Sequence, residues 1–220
     1  MTTHLRRQGR ITRSQARALE AWASERVIPE ATAGPVDWAA RFSRAAPLGV
    51  EIGFGMGHAL LDWAEAEPDM NLVGIDVYRP GIGALLAGCA ERGCEHLLVV
   101  EGDARVVIDT LFAPASIREV RIFFPDPWPK KRHHKRRLVS SAFVRLLASR
   151  MLPGGRLRLA TDWEDYAGWM LDVLDAEDAF ANEYGAGFAE RFAGRDVTRF
   201  EARGQRLGHR VWDLSYLRTG

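Results

Sequence analysis

Five short β-rich runs, at residues 49–52, 72–75, 97–100, 120–124 and 156–160, recur along the 220-residue chain, each bounded by glycine, proline or an acid. Helix-period patterns lie between and after them, at about 58–67, 79–92, 104–112, 137–151 and 163–176. Runs this short and rich in Val, Ile and Leu suit strands covered on both faces. Strands alternating with helices of this length imply right-handed βαβ crossovers. The expected fold is therefore α/β and Rossmann-like, with a mainly parallel central sheet and helices on both faces. Residues 1–20 read as a basic, mobile arm leading into a weak helix that carries Leu19 and Trp22, and residues 21–220 as a single domain. A chain that is 47% hydrophobic at this length can bury one sizeable core. After Phe180 the pattern turns irregular, and Phe188, Phe192, Phe200, Trp212 and Tyr216 suggest edge strands.

The first run ends in Glu51-Ile52-Gly53-Phe54-Gly55-Met56-Gly57. Glycines at alternate positions let the backbone turn sharply and bring a ligand against the next helix's N-terminus. Asp76 closes the second run, and a carboxylate there can accept from both hydroxyls of a ribose. Gly102-Asp103-Ala104 closes the third, where an acid can reach an adenine amino group. Each acid alone could instead cap a helix, since Asp is a favoured N-cap. A dinucleotide needs its pyrophosphate on the helix N-terminus and usually shows GxGxxG. The spacing here is GxGxG with Glu51 two residues before it, and a carboxylate beside a phosphate repels it. The same carboxylate suits the ammonium and sulfonium charges of S-adenosylmethionine, so the methyl donor is favoured as cofactor. The absence of GxxxxGK[ST] argues against a P-loop nucleotidase.

Residues 123–137 read FFPDPWPKKRHHKRR, and Lys130, Lys131 and Lys135 are the only lysines of the chain. A run of cations is often just a solvated face. This one follows the carboxyl end of a strand, where open α/β sheets bind ligands, which favours contact with nucleic-acid phosphates. Net charge is only +1, so polyanion binding depends on cations gathered locally, here and at Arg6, Arg7, Arg10, Arg13 and Arg17. His133 and His134 lack a Cys or acid at ligand spacing, and no metal is expected. Cys89 and Cys94 match neither a zinc knuckle nor a CxxC pair and read as reduced, packed thiols. No apolar run approaches a membrane span, and the amino terminus lacks the apolar stretch of a leader, so a cytoplasmic protein is expected.

Together these segments resemble the bacterial, single-subunit tRNA (guanine-N7)-methyltransferases. The likeness rests on Arg6-Arg7-Gln8-Gly9-Arg10, the Glu51–Gly57 turn, Gly74-Ile75-Asp76-Val77, Gly102-Asp103-Ala104, Phe124-Pro125-Asp126-Pro127-Trp128-Pro129-Lys130, Thr161-Asp162, Thr198-Arg199-Phe200-Glu201 and Gly208-His209-Arg210-Val211-Trp212-Asp213. It implies a class I methyltransferase fold and methyl transfer from S-adenosylmethionine to N7 of a guanosine in the tRNA variable loop. It implies donor contacts from Glu51, Gly53, Gly55, Gly57, Asp76, Asp103, Ala104 and Asp126, with Asp126 also the catalytic acid. Substrate contacts are expected from Lys130, Asp162, Thr198, Arg199, Phe200 and Glu201. RNA contacts are expected from Arg132, His133, His134, Lys135, Arg136 and Arg137. tRNA is the expected partner, with no obligate protein partner, and the chain a monomer or homodimer.

Asp196 and Arg199 depart from the family's usual proline and lysine, losing a stiff turn at one position and changing a cation's shape at the other. Arg210 replaces the more usual glycine and adds either a phosphate contact or a solvated charge. Guanine N7 carries a free lone pair at neutral pH, so catalysis can consist mostly of alignment. Asp126, Asp162 or Glu201 can accept from the guanine N1–H and N2–H₂ edge. Trp128 either stacks on the base or packs on the sheet. The rivals are a non-catalytic RNA-binding protein of the same fold and a nicotinamide-dependent oxidoreductase, which leaves the basic run unexplained.

Overall fold

The computed structural model describes residues 9–191 and 210–220, and the chain forms two compact units, Leu5–Ala113 and Pro114–Gly220. In the first, helix α1 (Arg13–Arg26) opens with a capping box in which Gln15 N–H donates to Thr12 Oγ1 and Thr12 N–H to Gln15 Oε1. Two backbone N–H donors at the helix start are thereby satisfied at once. The helix takes in residues 13–20, which were expected to belong to the arm; residues 1–8 lie outside the described residues.

Strands β1 (Val27–Pro29), β2 (Leu48–Ile52), β3 (Asn71–Asp76) and β4 (Leu97–Glu101) follow, with helices α2 (Trp38–Phe42), α3 (His58–Ala66), α4 (Arg79–Arg92) and α5 (Ala104–Leu111) between and after them. The strands stand in the order β1-β4-β3-β2, and every pair is parallel. All five residues of β2 are buried, which explains a run with no polar alternation. Trp63, Leu60, Leu72, Leu85 and Val99 are among the side chains of one apolar core. In register, Ile52 faces Ile75 and Asp76 faces Glu101, so the carboxyl ends of these strands, and the acids on them, lie level.

The second unit holds β5 (Ile117–Phe123), a 3₁₀ turn (Lys131–Arg136), α6 (Ser141–Arg150), β6 (Met151–Thr161), α7 (Glu164–Asp175), β7 (Phe180–Asn182) and β8 (Trp212–Arg218). Its strand order is β5-β6-β8-β7, with β5 and β6 parallel and the other two pairs antiparallel. Of the aromatics expected in edge strands, Trp212 and Tyr216 lie in β8, which stands between β6 and β7 rather than at the edge; Phe188 is in no strand, and Phe192 and Phe200 lie outside the described residues. The Tyr216 hydroxyl bonds the Asp175 carboxylate and accepts from Asn182 Nδ2. Two ion pairs lie on this sheet: buried Arg121 Nε donates to Glu119 at 2.7 Å, and half-buried Arg156 forks onto Glu183.

Candidate functional site

At the end of β2 the backbone passes through Gly53, Gly55 and Gly57 at φ of 74°, 57° and 81°. That left-handed region strains any residue with a Cβ, so the alternating glycines are what allow the turn. At Gly57 a Cβ would also strike Leu85 at 2.7 Å, whereas at Gly53 and Gly55 it would meet nothing within 4 Å. The turn passes close beneath α4. A Cβ on Gly81 would lie 1.8 Å from the Gly55 carbonyl oxygen.

Asp76 fastens this turn. Its Oδ2 accepts from Gly55 N–H at 2.9 Å, and its Oδ1 accepts from Val77 and Tyr78 N–H at 2.7 and 2.9 Å. The carboxylate is thus held in one orientation by three backbone donors, a requirement for precise contact with a ligand. Glu51 is 2% exposed on β2, opposite Gly74 of β3. Asp103 realises the capping alternative: its Oδ1 accepts from Arg105 N–H at the start of α5. Its own N–H donates to Glu30 Oε2. Glu30, just after β1, therefore positions the Gly102-Asp103-Ala104 turn from 73 residues away. Nothing local in the sequence marks it for that role. The open side of Gly53 and Gly55, with fixed carboxylates at the neighbouring strand ends, fits a cationic adenosyl compound better than a pyrophosphate.

In the second unit, β5 runs into the Pro125-Asp126-Pro127 corner. Asp126 is exposed, and the residues that flank the corner, Phe124 and Trp128, have φ of 51° and 45°. Non-glycine residues in this region are uncommon and persist only where their surroundings hold them. Trp128 is 9% exposed, with the Arg136 guanidinium 4.9 Å from its ring centre and the His133 ring edge-on at 5.9 Å. Trp128 thus packs against the basic turn. Asp162 is half-buried directly after β6, where Thr161 Oγ1 accepts from Trp163 N–H.

The basic run is two-sided because it is a 3₁₀ turn, in which residues three apart share a face. Lys131, Arg132 and Lys135 are exposed, as is Lys130 before them. His133 and Arg136 face Trp128 instead. His134 and Arg137 face α7, His134 packing edge-on against Trp169 at 5.9 Å. Arg137 corrects the expectation of an RNA contact. It is 1% exposed, and its guanidinium donates to the Pro127 carbonyl at 2.9 Å and to the Asp165 carboxylate.

The Arg137 hydrogen bond holds the Asp165 carboxyl below its ordinary range. Desolvation, then the charges of Arg136, Arg132, Lys130 and Lys135, hold the His133 imidazole below its own. His133 consequently carries less positive charge at neutral pH than an ordinary imidazole. Arg210 lies 6.0 Å from the Trp212 ring centre. Thr198, Arg199, Phe200, Glu201 and Asp196 lie outside the described residues. Among the described residues no group of three His, Cys, Asp or Glu is placed to hold a metal ion, and Cys89 and Cys94 are free and buried.

Residues 45–214 match the model of a family described as "Putative methyltransferase". A tRNA (guanine-N(7)-)-methyltransferase of Halorhodospira halophila is 48% identical over 217 residues, covering 97% of this chain and 93% of that protein. Another protein of that name, from Pseudomonas fluorescens Pf0-1, is 46% identical over 211 residues, covering 96% and 87%. Among solved structures, the 16S rRNA methyltransferase KamB aligns at a TM-score of 0.60 and 17% identity, over 89% of this chain and 99% of that one. The fold is accordingly that of the class I methyltransferases, a mostly parallel sheet flanked by helices. With relatives this similar along nearly its whole length, the chain belongs to the family of tRNA (guanine-N7)-methyltransferases.

Proposed function

We propose that the protein transfers the methyl group of S-adenosylmethionine to N7 of a guanosine in the tRNA variable loop. The observation that carries this is the glycine turn locked by Asp76, open above Gly53 and Gly55, in a chain that has the PDPW corner and its basic turn. Glu51, Gly53, Gly55, Gly57, Asp76, Asp103 and Ala104 are assigned to the donor. When bound, the donor supplies an electrophilic methyl group on a sulfonium. Because N7 presents a lone pair at neutral pH, the chain's task is orientation and exclusion of water rather than removal of a proton.

Asp126 is assigned as the catalytic acid residue, accepting hydrogen bonds in its anionic form. Its exposed carboxylate, on a corner stiffened by two prolines, suits a positioned acceptor. Lys130 and Asp162, with Thr198, Arg199, Phe200 and Glu201, are assigned to the substrate nucleotide. Lys131, Arg132 and Lys135 are assigned to tRNA phosphates, where flexible cations position RNA without reading its sequence. Among the described residues no helix is long and apolar enough to cross a membrane. Action in the cytoplasm, as a monomer or homodimer, completes the proposal.

Incubating the protein with labelled S-adenosylmethionine and unmodified tRNA, then mapping the label, tests this. The expected product is a single 7-methylguanosine in the variable loop. RNA binding with no transferred label would favour the non-catalytic reading, and label at another atom would overturn the site chemistry.

A further inference from the structure

We propose that Arg137 is a positioning residue that pins the Asp126 corner to the start of α7, holding the corner's carboxylate in its working orientation. Its Nε donates to the Pro127 carbonyl, the residue directly after Asp126, at 2.9 Å. The other end of the guanidinium is anchored on α7. One amino group bonds Asp165 and lies 3.1 Å from His134 Nε2, and the cation sits 4.8 Å and 5.2 Å from the ring centres of Tyr166 and Trp169. Those two aromatics also hold the chain just beyond it. Val139 N–H donates to the Tyr166 hydroxyl at 3.2 Å, and Trp169 Nε1 donates to the Val139 carbonyl at 2.8 Å.

The corner needs such a pin. Phe124 and Trp128 both hold left-handed backbone on either side of Asp126, a conformation that relaxes unless neighbouring contacts over-determine it. Phe124 N–H is tied to the Ala160 carbonyl at 2.8 Å, which fixes the corner's entry. Arg137 fixes its far side at Pro127. A planar guanidinium reaches a carbonyl and a carboxylate in diverging directions at once while stacking on two rings, which an ammonium does not do. The catalytic consequence rests on the proposed methyl transfer; the structural part does not.

The test compares the intact protein with Arg137→Lys and Arg137→Gln by amide hydrogen exchange and by tRNA methylation, the lysine variant keeping the charge should the glutamine variant fail to fold. In Arg137→Lys, peptides covering residues 124–136 should exchange about ten-fold faster or more, with donor-binding segments unchanged. Turnover should fall about 100-fold, the scale expected of an ångström-sized misplacement, while affinity for tRNA stays within about three-fold. Unchanged exchange over residues 124–136 overturns the pin whatever turnover does. A loss of tRNA affinity as large as the loss of rate also overturns it, making Arg137 an RNA contact. Faster exchange in the variant, with a wild-type protein that methylates no tRNA, would uphold the pin and sink the methyl-transfer proposal instead.

Discussion

Single atoms decide the geometry of the donor turn. Gly81 stands in the first turn of α4, and a Cβ there would lie 1.8 Å from the Gly55 carbonyl oxygen and 2.9 Å from its carbon. Backbone cannot swing aside as a long side chain can, so Gly81→Ala must push the turn away from α4. The shift would break the 2.9 Å bond from Gly55 N–H to Asp76 and with it the fixed orientation of that carboxylate. Overpacking of this kind costs about 1–3 kcal/mol, so Gly81→Ala should weaken S-adenosylmethionine binding by about 10-fold or more. Isothermal titration of the two proteins checks this. An unchanged affinity would mean that the donor makes no use of the turn. Gly81 was not legible as a functional position, because its demand comes from a backbone atom of a different element.

Among the elements, the 3₁₀ turn has the clearest division of labour. Lys131, Arg132 and Lys135 look outward while His133, His134, Arg136 and Arg137 grip Trp128 or α7. Replacing the three outward cations by alanine should reduce the salt dependence of tRNA binding by about 0.7–0.9 log units per lost phosphate contact. Filter binding across a range of salt concentrations measures it, and an unaltered slope would place these side chains in solvent only. The eight-residue basic run was visible at once in the sequence, but its two faces were not, since they follow from a helix of three residues per turn that no apolar periodicity announces. The buried strands were legible for the opposite reason. Covered on both faces, β2, β3 and β4 appear as unbroken apolar runs, and their terminal acids stand out against them. β1, with three residues ending in Pro29, is too short to register. The place of β8 between β6 and β7 depends on long-range antiparallel pairing that leaves no local mark. Glu30 escaped notice and Arg137 was read as an RNA contact for one reason: the groups they position lie on other segments.

Taken as a whole, the molecule keeps several weak acids buried and uncharged, and both units contain them. Burial first, then the neighbouring Cys94, pushes the Cys89 thiol from 9.0 up to about 12. Burial also raises Cys94, with Glu65 adding to it, and burial together with the Asp175 hydrogen bond raises Tyr216 above its ordinary range. Each folded-state value lies above the unfolded one. The unfolded chain therefore releases these protons first as pH rises, and the stabilisation present below pH 9 is lost progressively towards pH 12. For Cys89 alone the loss by pH 11 is about 2–3 kcal/mol, from roughly 1.4 kcal/mol per unit over two units. At about 2–4 °C per kcal/mol for a chain of this size, the melting temperature should fall by about 5–10 °C between pH 8 and pH 11 from this group. Cys89→Ala should flatten that decline by a similar amount, while lowering stability at pH 8 through the cavity it leaves. Thermal unfolding of both proteins followed by circular dichroism across this pH range provides the comparison. Parallel declines in the two proteins would show that the thiol at Cys89 ionises alike in the folded and unfolded chain, and so is not held by the core around Trp63 and Leu85 in the way its burial requires.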